Sequence, residues 1–139
     1  MPKIILTGEP KSTGHIYRFT CRGTFPSMYM NKEGKELKES YQWQAKSQYK
    51  NKVTTEDIKL EVDLYFGTKR KQDIDNFNKL LYDALTGIVW EDDSQIQEVR
   101  TRKFYDKQNP RIEITIHTTN LANKYRYSHA QATPSQTTS

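Results

Sequence analysis

The feature that most constrains the fold of this chain is the strict alternation of apolar and polar side chains in Ile58–Phe66. Isoleucine, leucine, valine, leucine and phenylalanine occupy every second position, and lysine, glutamate, aspartate and tyrosine lie between them. Because successive side chains of a β-strand point to opposite faces of its sheet, this alternation predicts a strand with one buried face. Other elements must then cover that face, since a sheet buries its apolar side against a second layer.

Three other segments have the composition of strands, namely Lys3–Leu6, Gln97–Tyr105 and Arg111–His117. The last two flank a turn-rich linker at residues 106–110, whose length and composition predict a β-hairpin. The stretch Glu9–Asn31 is interrupted by several Gly and Pro residues, which is typical of a long loop or an irregular hairpin.

Two segments have helical periodicity. The first is Lys35–Lys50, and the second is clearer because six apolar side chains form one stripe: Phe77, Leu80, Leu81, Ala84, Leu85 and Ile88. Asp73 or Asp75 can cap the start of the second helix, because a carboxylate accepts the free N–H groups of a first turn. Gly87 is placed to end it, with an apolar contact from the residue that follows.

These elements predict one α+β domain over residues 1–117. It has two layers, a mixed β-sheet with two helices packed on one face. Residues 118–139 are mostly small and polar with no apolar periodicity, so we expect a disordered C-terminal tail. Trp43 and Trp90 are expected in the core rather than as platforms for base stacking.

The composition excludes several classes of protein. The chain has 139 residues, a formal net charge of +5 and one cysteine, Cys21, which excludes an internal disulfide framework and a cysteine-rich zinc site. No apolar run is long enough to span a membrane, so we expect no membrane association and a reducing, cytoplasmic setting. Without Lys124 and Arg126 of the tail the net charge is +3, which is compatible with nucleic-acid binding but does not establish it.

The acidic residues are concentrated around the second helix. Asp73 and Asp75 open it, Asp83 lies within it, and Glu91–Asp93 follows it. Hard divalent cations such as Mg²⁺ bind carboxylate oxygens, and a metal activates water and polarises phosphate. The basic run Lys69–Lys71 directly precedes these acids, as a site for phosphodiester hydrolysis requires.

A simpler interpretation stays open for each residue taken alone. Acids at a helix N-terminus complement its dipole, and two acids in sequence are often a solvated turn. Lys79 lies four residues from both Asp75 and Asp83, so it could be an ordinary ion-pair partner of either one.

Three strings in this region resemble the RusA family of Holliday-junction resolvases. Residues 73–79 read D-I-D-N-F-N-K, residues 83–85 read D-A-L, and residues 92–96 read D-D-S-Q-I. The family signature is D-x-D-N-x-x-K, then D-A-L, then D-D-x-x-I/V, and the spacing agrees without gaps. One departure is in the N-terminal loop, where Pro10–Tyr17 lacks the Asn of the family's P-P-S-x-N-x-x-Y.

The resemblance implies a RusA-like fold and a homodimeric, Mg²⁺-dependent endonuclease in which Mn²⁺ can substitute. Such enzymes resolve four-way DNA junctions by paired symmetric nicks in recombination and repair. The catalytic residues implied are Asp73, Asp75, Asp93 and Lys79. Asp92 is a further candidate ligand beside the three aspartates that would bind the metal. DNA phosphates would contact Lys69, Arg70 and Lys71.

Two other functions remain compatible with the sequence. One is a DNA-junction binding protein that does not cleave, and the other is a metal-dependent nuclease acting on another branched DNA. The expected setting is nucleoid-associated and cytoplasmic, and the gene could belong to a cell, a phage or a prophage.

Overall fold

The computed structural model describes residues 2–23, 25–69 and 77–118. The elements in chain order are β1 (Lys3–Thr7), a one-turn helix α1 (Thr13–Ile16), β2 (Tyr17–Arg22), β3 (Phe25–Met30), α2 (Lys32–Gln48), β4 (Ile58–Phe66), α3 (Asn78–Leu85), β5 (Ile96–Tyr105) and β6 (Arg111–Thr118). A short 3₁₀ turn at Asp93–Gln95 precedes β5. The predicted tail falls on residues outside the described part from position 119 onward, so its disorder stays a prediction.

The described strands form a four-stranded sheet and a separate two-stranded sheet. The larger sheet has the order β1-β6-β4-β5. Strand β6 is antiparallel to both β1 and β4, and β4 is parallel to β5, so the sheet is mixed as predicted. Parallel neighbours need a crossover connection, and α3 lies within the one between β4 and β5. The α+β prediction is confirmed.

The predicted hairpin between the last two strands is wrong, because β4 lies between β5 and β6. Strand β4 pairs along both of its edges, parallel to β5 and antiparallel to β6, so it separates these two strands. The linker at residues 106–110 crosses the end of β4 instead of turning tightly. The backbone N–H of Asp106 donates to the Phe66 carbonyl at 2.8 Å, and that of Gly8 donates to the Pro110 carbonyl at 3.0 Å.

The core lies between one face of the sheet and the helices α2 and α3. The alternation predicted for Ile58–Phe66 is observed, with all five apolar residues of β4 buried. Phe77 packs edge-on against Phe66, with ring centroids 5.3 Å apart. The predicted stripe of α3 is also confirmed, because its apolar residues belong to the same buried cluster. Across the described residues, no helix has the length and apolar character that a membrane span requires.

Two glutamines of α2 bind the outer edge of β1. Gln48 accepts a hydrogen bond from the Ile5 N–H at 2.7 Å and donates one to the Ile5 carbonyl at 2.7 Å. Gln44 accepts from the Thr7 N–H at 2.8 Å. Open strand edges are sites of unwanted pairing, and these side chains satisfy backbone groups that would otherwise face another strand. They also fix where α2 crosses the sheet.

The stretch Glu9–Asn31 is more regular than its Gly and Pro content predicts. It contains α1 and an antiparallel pair of strands, β2 and β3, in which Tyr17 lies opposite Met30. Helix α2 begins at Lys32, three residues before the predicted start. Its cap is Asn31, whose side chain accepts from the Gly34 N–H at 2.8 Å.

The two ends of α3 differ in how well they were predicted. The helix begins at Asn78, and Phe77 occupies the cap position without a side-chain hydrogen bond. The predicted caps, Asp73 and Asp75, lie outside the described residues. At the other end Gly87 has φ +91°, as expected for the residue that stops the helix, and the residue after it packs against the core.

The two tryptophans have opposite environments. Trp90 is fully buried, as predicted, but Trp43 is 76% exposed on α2, so its assignment to the core is wrong. The apolar stripe of α2 is narrow, and Trp43 follows Tyr41 by two positions, which places it away from the buried side of the helix.

Gly34 gives a stability test of the contact between α1 and α2. A Cβ added there would lie 2.5 Å from Cγ of Met30 and 3.0 Å from Cβ of Ile16. Alanine normally stabilises a helix relative to glycine, but here overpacking should outweigh propensity. We expect Gly34→Ala to lower the free energy of unfolding by about 1–2 kcal/mol, as measured by urea denaturation.

The matched control is Gly14→Ala, because nothing lies within 4 Å of the Cβ that it would add. A Gly34→Ala protein as stable as the parent would show that the α1–α2 contact accommodates the added methyl group without loss of stability.

Candidate active site

One side of α3 carries polar residues that the core does not use. Lys79, Asp83 and Thr86 lie at positions i, i+4 and i+7, so they share a face of the helix. The buried stripe of α3 occupies the other side. Packing does not require Lys79, whose side chain is 45% exposed.

The Lys79 ammonium lies between a carboxylate and an aromatic ring. Its Nζ is 3.8 Å from Oδ2 of Asp83 and 5.0 Å from the ring centroid of Tyr17. The Tyr17 hydroxyl donates a hydrogen bond to the same Asp83 oxygen. Burial, with this hydrogen bond, raises the pKa of Tyr17, so the phenol stays a donor at neutral pH. Of the two ion-pair partners that the spacing left open, the described residues show Asp83.

Asp93 lies beside the C-terminal end of α3. Its Oδ1 is 2.6 Å from the Thr86 hydroxyl and 3.3 Å from Nε1 of Trp90, which donates to both. The carboxylate is nevertheless exposed to solvent. Burial raises the pKa of Tyr82, and the nearby negative charge of Asp93 raises it further. Asp93 is therefore both oriented by the buried indole and open to a ligand.

A buried amide holds the turn that presents this carboxylate. Gln95 donates from Nε2 to the carbonyls of Thr54 at 2.9 Å and Glu56 at 2.8 Å. Its Oε1 accepts from the backbone N–H groups of Glu91 at 2.9 Å and Asp92 at 2.8 Å. The two hydrogen bonds to Oε1 lie within the turn, and the two from Nε2 join the turn to the segment that precedes β4.

These contacts give the positions of the site residues relative to one another. Lys79 is in the first turn of α3 and Thr86, the neighbour of Asp93, follows its last turn. Seven residues of helix separate them by about 10 Å along the axis. The sequence reasoning missed the roles of Tyr17 and Gln95, because a lone polar residue gives no periodic signal that it will be buried.

A comparison with known families decides how this arrangement is to be classified. The model of the endodeoxyribonuclease RusA family matches residues 8–117, which include every described element from α1 to β5 and almost all of β6. The chain belongs to the RusA endodeoxyribonuclease family. The resemblance inferred from the three short strings is thereby confirmed.

Individual relatives match shorter segments. The chain is 33% identical over 60 residues to the crossover junction endodeoxyribonuclease RusA of Escherichia coli (strain K12), covering 42% of this chain and 50% of the relative. The same values hold for crossover junction endodeoxyribonuclease rusA of Enterobacteria phage 82. It is 41% identical over 46 residues to the uncharacterized protein YqaN of Bacillus subtilis (strain 168), covering 33% of this chain and 32% of the relative. The matches thus span a third to a half of the length of these relatives.

The described carboxylates have the chemistry that a hard cation requires. Asp92 and Asp93 are both exposed oxygen donors, and Asp92 is oriented by the Ser94 hydroxyl at 2.5 Å. In residues 2–23, 25–69 and 77–118 no three His, Cys, Asp or Glu side chains come together as a metal site. The other two predicted ligands of this RusA chain, Asp73 and Asp75, lie outside those ranges. The donors that are described fit Mg²⁺ or Mn²⁺ as part of a site.

The predicted DNA-contact run is described only at its first residue. Lys69 is exposed, and its Nζ lies 5.0 Å from the ring centroid of Tyr105. Arg70 and Lys71 lie outside the described residues. Their contact with DNA phosphates therefore stays a prediction.

Replacing Gln95 tests whether the amide fixes the turn of this RusA protein. Gln95→Leu keeps a side chain of similar size but removes all four hydrogen bonds of the amide, and of the four backbone groups only Glu91 N–H and the Thr54 carbonyl keep a contact, with each other at 3.3 Å. We expect the free energy of unfolding to fall by about 2–5 kcal/mol, because unsatisfied buried polar groups are costly. Hydrogen exchange at the amides of Glu91 and Asp92 should accelerate.

Gln97→Leu is the control, since Gln97 is exposed on β5. If Gln95→Leu has the same melting temperature and the same hydrogen-exchange rates as the parent, the amide does not hold the turn.

Proposed function

We propose that this protein is a metal-dependent, structure-selective endodeoxyribonuclease that resolves Holliday junctions by paired symmetric nicks in recombination and repair. The observation that carries the proposal is the polar side of α3 in a chain of the RusA family. An oriented but exposed carboxylate, Asp93, and an exposed ammonium, Lys79, lie along that side. The names of the Escherichia coli and phage relatives agree with this activity.

In this proposal Asp73, Asp75 and Asp93 hold Mg²⁺, with Asp92 as a further ligand and Mn²⁺ as an acceptable substitute. The bound metal would supply Lewis-acid polarisation of the scissile phosphate and activation of water. The chain's own contribution is to orient the carboxylates. The Trp90 indole N–H fixes Asp93 in one rotamer, which reduces the reorganisation needed when a cation binds.

Lys79 would stabilise the negative charge that develops on the phosphate. Its ammonium is compact, exposed and supported by Asp83 and the Tyr17 ring. A preorganised charge is worth more than a mobile one because it does not have to reorient during the reaction. Lys69, Arg70 and Lys71 would bind neighbouring phosphates and set the register of the DNA.

The substrate favours a homodimer acting on a four-way junction. Such a junction has approximate two-fold symmetry, and a C₂ dimer presents two equivalent sites to two equivalent strands. We place the reaction at the nucleoid in the cytoplasm, of a cell or of a host carrying phage genes, as one phage relative suggests.

The assay that tests the function compares four-way junctions with duplex and flap DNA, each with Mg²⁺ and with EDTA. Paired nicks in the junction alone, lost in EDTA, support the proposal. Tight junction binding without nicks would favour the non-cleaving binding protein. Equal cleavage of flaps would favour a nuclease for another branched DNA.

Neutralising Asp93 should separate chemistry from binding. We expect Asp93→Asn to abolish Mg²⁺-dependent cleavage while junction affinity in a band-shift assay stays equal or rises, because a negative charge near DNA is removed. Glu91→Gln is the control, since Glu91 is an exposed acid in the same turn. Normal cleavage by Asp93→Asn would remove Asp93 from the site.

Replacing Lys79 should slow DNA cleavage but have little effect on the stability of the protein. Lys79→Ala removes an exposed ion pair worth ~0–1 kcal/mol of stability, and Asp83 keeps its hydrogen bond from Tyr17. Loss of the charge should slow single-turnover nicking by ~10²–10³-fold. Lys79→Arg should restore only part of the rate, because a guanidinium spreads the charge over a planar fork.

Lys46→Ala, an exposed lysine of α2, controls for loss of positive charge. Should Lys79→Ala nick at the parental rate, or fail only because it is unfolded, Lys79 is an ion-pair residue and nothing more.

A further inference from the structure

Two adjacent aromatic side chains are exposed at the end of β5. Tyr105 is 46% exposed and Phe104 is 39% exposed. They belong to opposite faces of the strand, because they are adjacent in sequence. Phe104 stacks on Tyr65 with centroids 4.9 Å apart. Tyr105 faces the helix side of the sheet and has the Lys69 ammonium over its ring.

The Tyr105 ring borders a shallow cavity of about 290 Å³. Its lining consists of Phe66, Thr68, Lys69, Lys103, Phe104 and Tyr105. Among the described residues, the lining therefore combines aromatic surface with two lysines and includes no acidic side chain. Proteins bind unpaired nucleotides with this combination, stacking a base on a ring and pairing the phosphate with a cation. The volume is near the lower end for small-molecule sites, so it suits a single base.

The cavity lies next to the helix that carries Lys79. In α3, Asn78 donates to the Thr101 hydroxyl at 3.4 Å, which places the first turn of the helix over the middle of β5. Lys103 and Tyr105 follow Thr101 on the same face of the strand, about 7 Å and 13 Å further along. About two to four stacked nucleotides span that distance, since successive bases on a strand are about 3.4 Å apart, and fewer are needed where the strand is extended.

We propose that this surface, defined by Lys69, Lys103 and Tyr105, binds one unstacked nucleotide of the DNA beside the scissile phosphate. The base stacks on Tyr105, and the two lysines bind its phosphates. The inference rests on the proposed function, because it assigns a contact on the substrate of the same site. It also specifies that substrate further, since a base within continuous duplex cannot reach a ring, whereas a base at a branch point can leave the stack.

A second copy of the chain is a poorer occupant of the same surface. Within the described residues β5 pairs with β4 alone, so its outer edge is open for strand pairing. The lysines at that edge would approach those of an identical patch, and like charges oppose edge-to-edge association. Polyanionic DNA, in contrast, is complementary to them.

The test uses the full-length protein, a four-way junction with 2-aminopurine at positions flanking the nick, and Ca²⁺ in place of Mg²⁺. Tyr105→Leu removes the ring and Tyr105→Phe keeps it. We expect Tyr105→Leu to weaken junction binding by about 5- to 150-fold without changing the slope of log Kd against log salt, and to abolish quenching of one 2-aminopurine. Tyr105→Phe should behave as the parent protein does.

Trp43→Leu is the matched control, because Trp43 is an even more exposed ring on α2, bordered by Glu39 as well as Lys46. Lys103→Ala should lower the salt slope by about 1. Circular dichroism and thermal melting establish that each variant is folded.

The outcomes separate the two proposals. If the parent protein binds the junction and Tyr105→Leu binds it with the same affinity and the same 2-aminopurine quenching, the nucleotide subsite is wrong. The proposed function is unaffected by that result. A parent protein that binds the junction in Ca²⁺ but makes no nicks when Mg²⁺ is supplied overturns the nuclease, and the binding and quenching comparison in Ca²⁺ still tests the subsite. If Tyr105→Leu converts a dimer to a monomer in sedimentation, the surface is a subunit interface and the subsite is wrong.

Discussion

The candidate site depends on the four hydrogen bonds of one buried amide. Gln95 is 9% exposed and joins the turn at Glu91–Asp92 to the segment that leads into β4. A buried amide is costly when it is unpaired and neutral or better when every donor and acceptor is used, as here. The turn is thereby fixed to the sheet, and Asp93 meets the end of α3 in a single arrangement. Oriented carboxylates on a rigid support are what a catalytic metal site requires.

The parallel pair of β4 and β5 gives the site its location. Parallel neighbours bring their C-terminal ends to one edge of the sheet, and the crossover from β4 must start there. Lys69 and the exposed ring of Tyr105 therefore belong to the same edge. A strand order with β5 next to β6, as the hairpin prediction had it, would have separated them. The pairing of β4 along both of its edges thus determines which side chains lie close enough to act together.

Local periodicity predicted the elements but not how they pair. The bounds of β4 and the stripe of α3 follow from the spacing of apolar residues within each segment, and both predictions were confirmed. Strand pairing is a competition across the whole sheet, so the linker at residues 106–110 gave a false hairpin. The burial of Gln95 and the exposure of Trp43 depend on which neighbours the fold supplies, and no local pattern encodes them. Asp73 and Asp75, drawn from the family signature, stay predictions because they lie outside the described residues.

In the proposed function Lys79 pairs with Asp83 in the free protein and acts in catalysis on DNA. An exposed pair at 3.8 Å contributes ~0–1 kcal/mol, so little would be lost if the ammonium turned from Asp83 to a phosphate. Tyr17 makes that exchange easier, because its hydroxyl remains on the Asp83 oxygen and satisfies the carboxylate after the lysine has left. The Tyr17 ring meanwhile limits the directions in which the lysine can swing. In the proposed function these three side chains hold the charge ready in the free protein and release it to the phosphate of bound DNA, where a charge-assisted hydrogen bond is stronger than the pair it replaces.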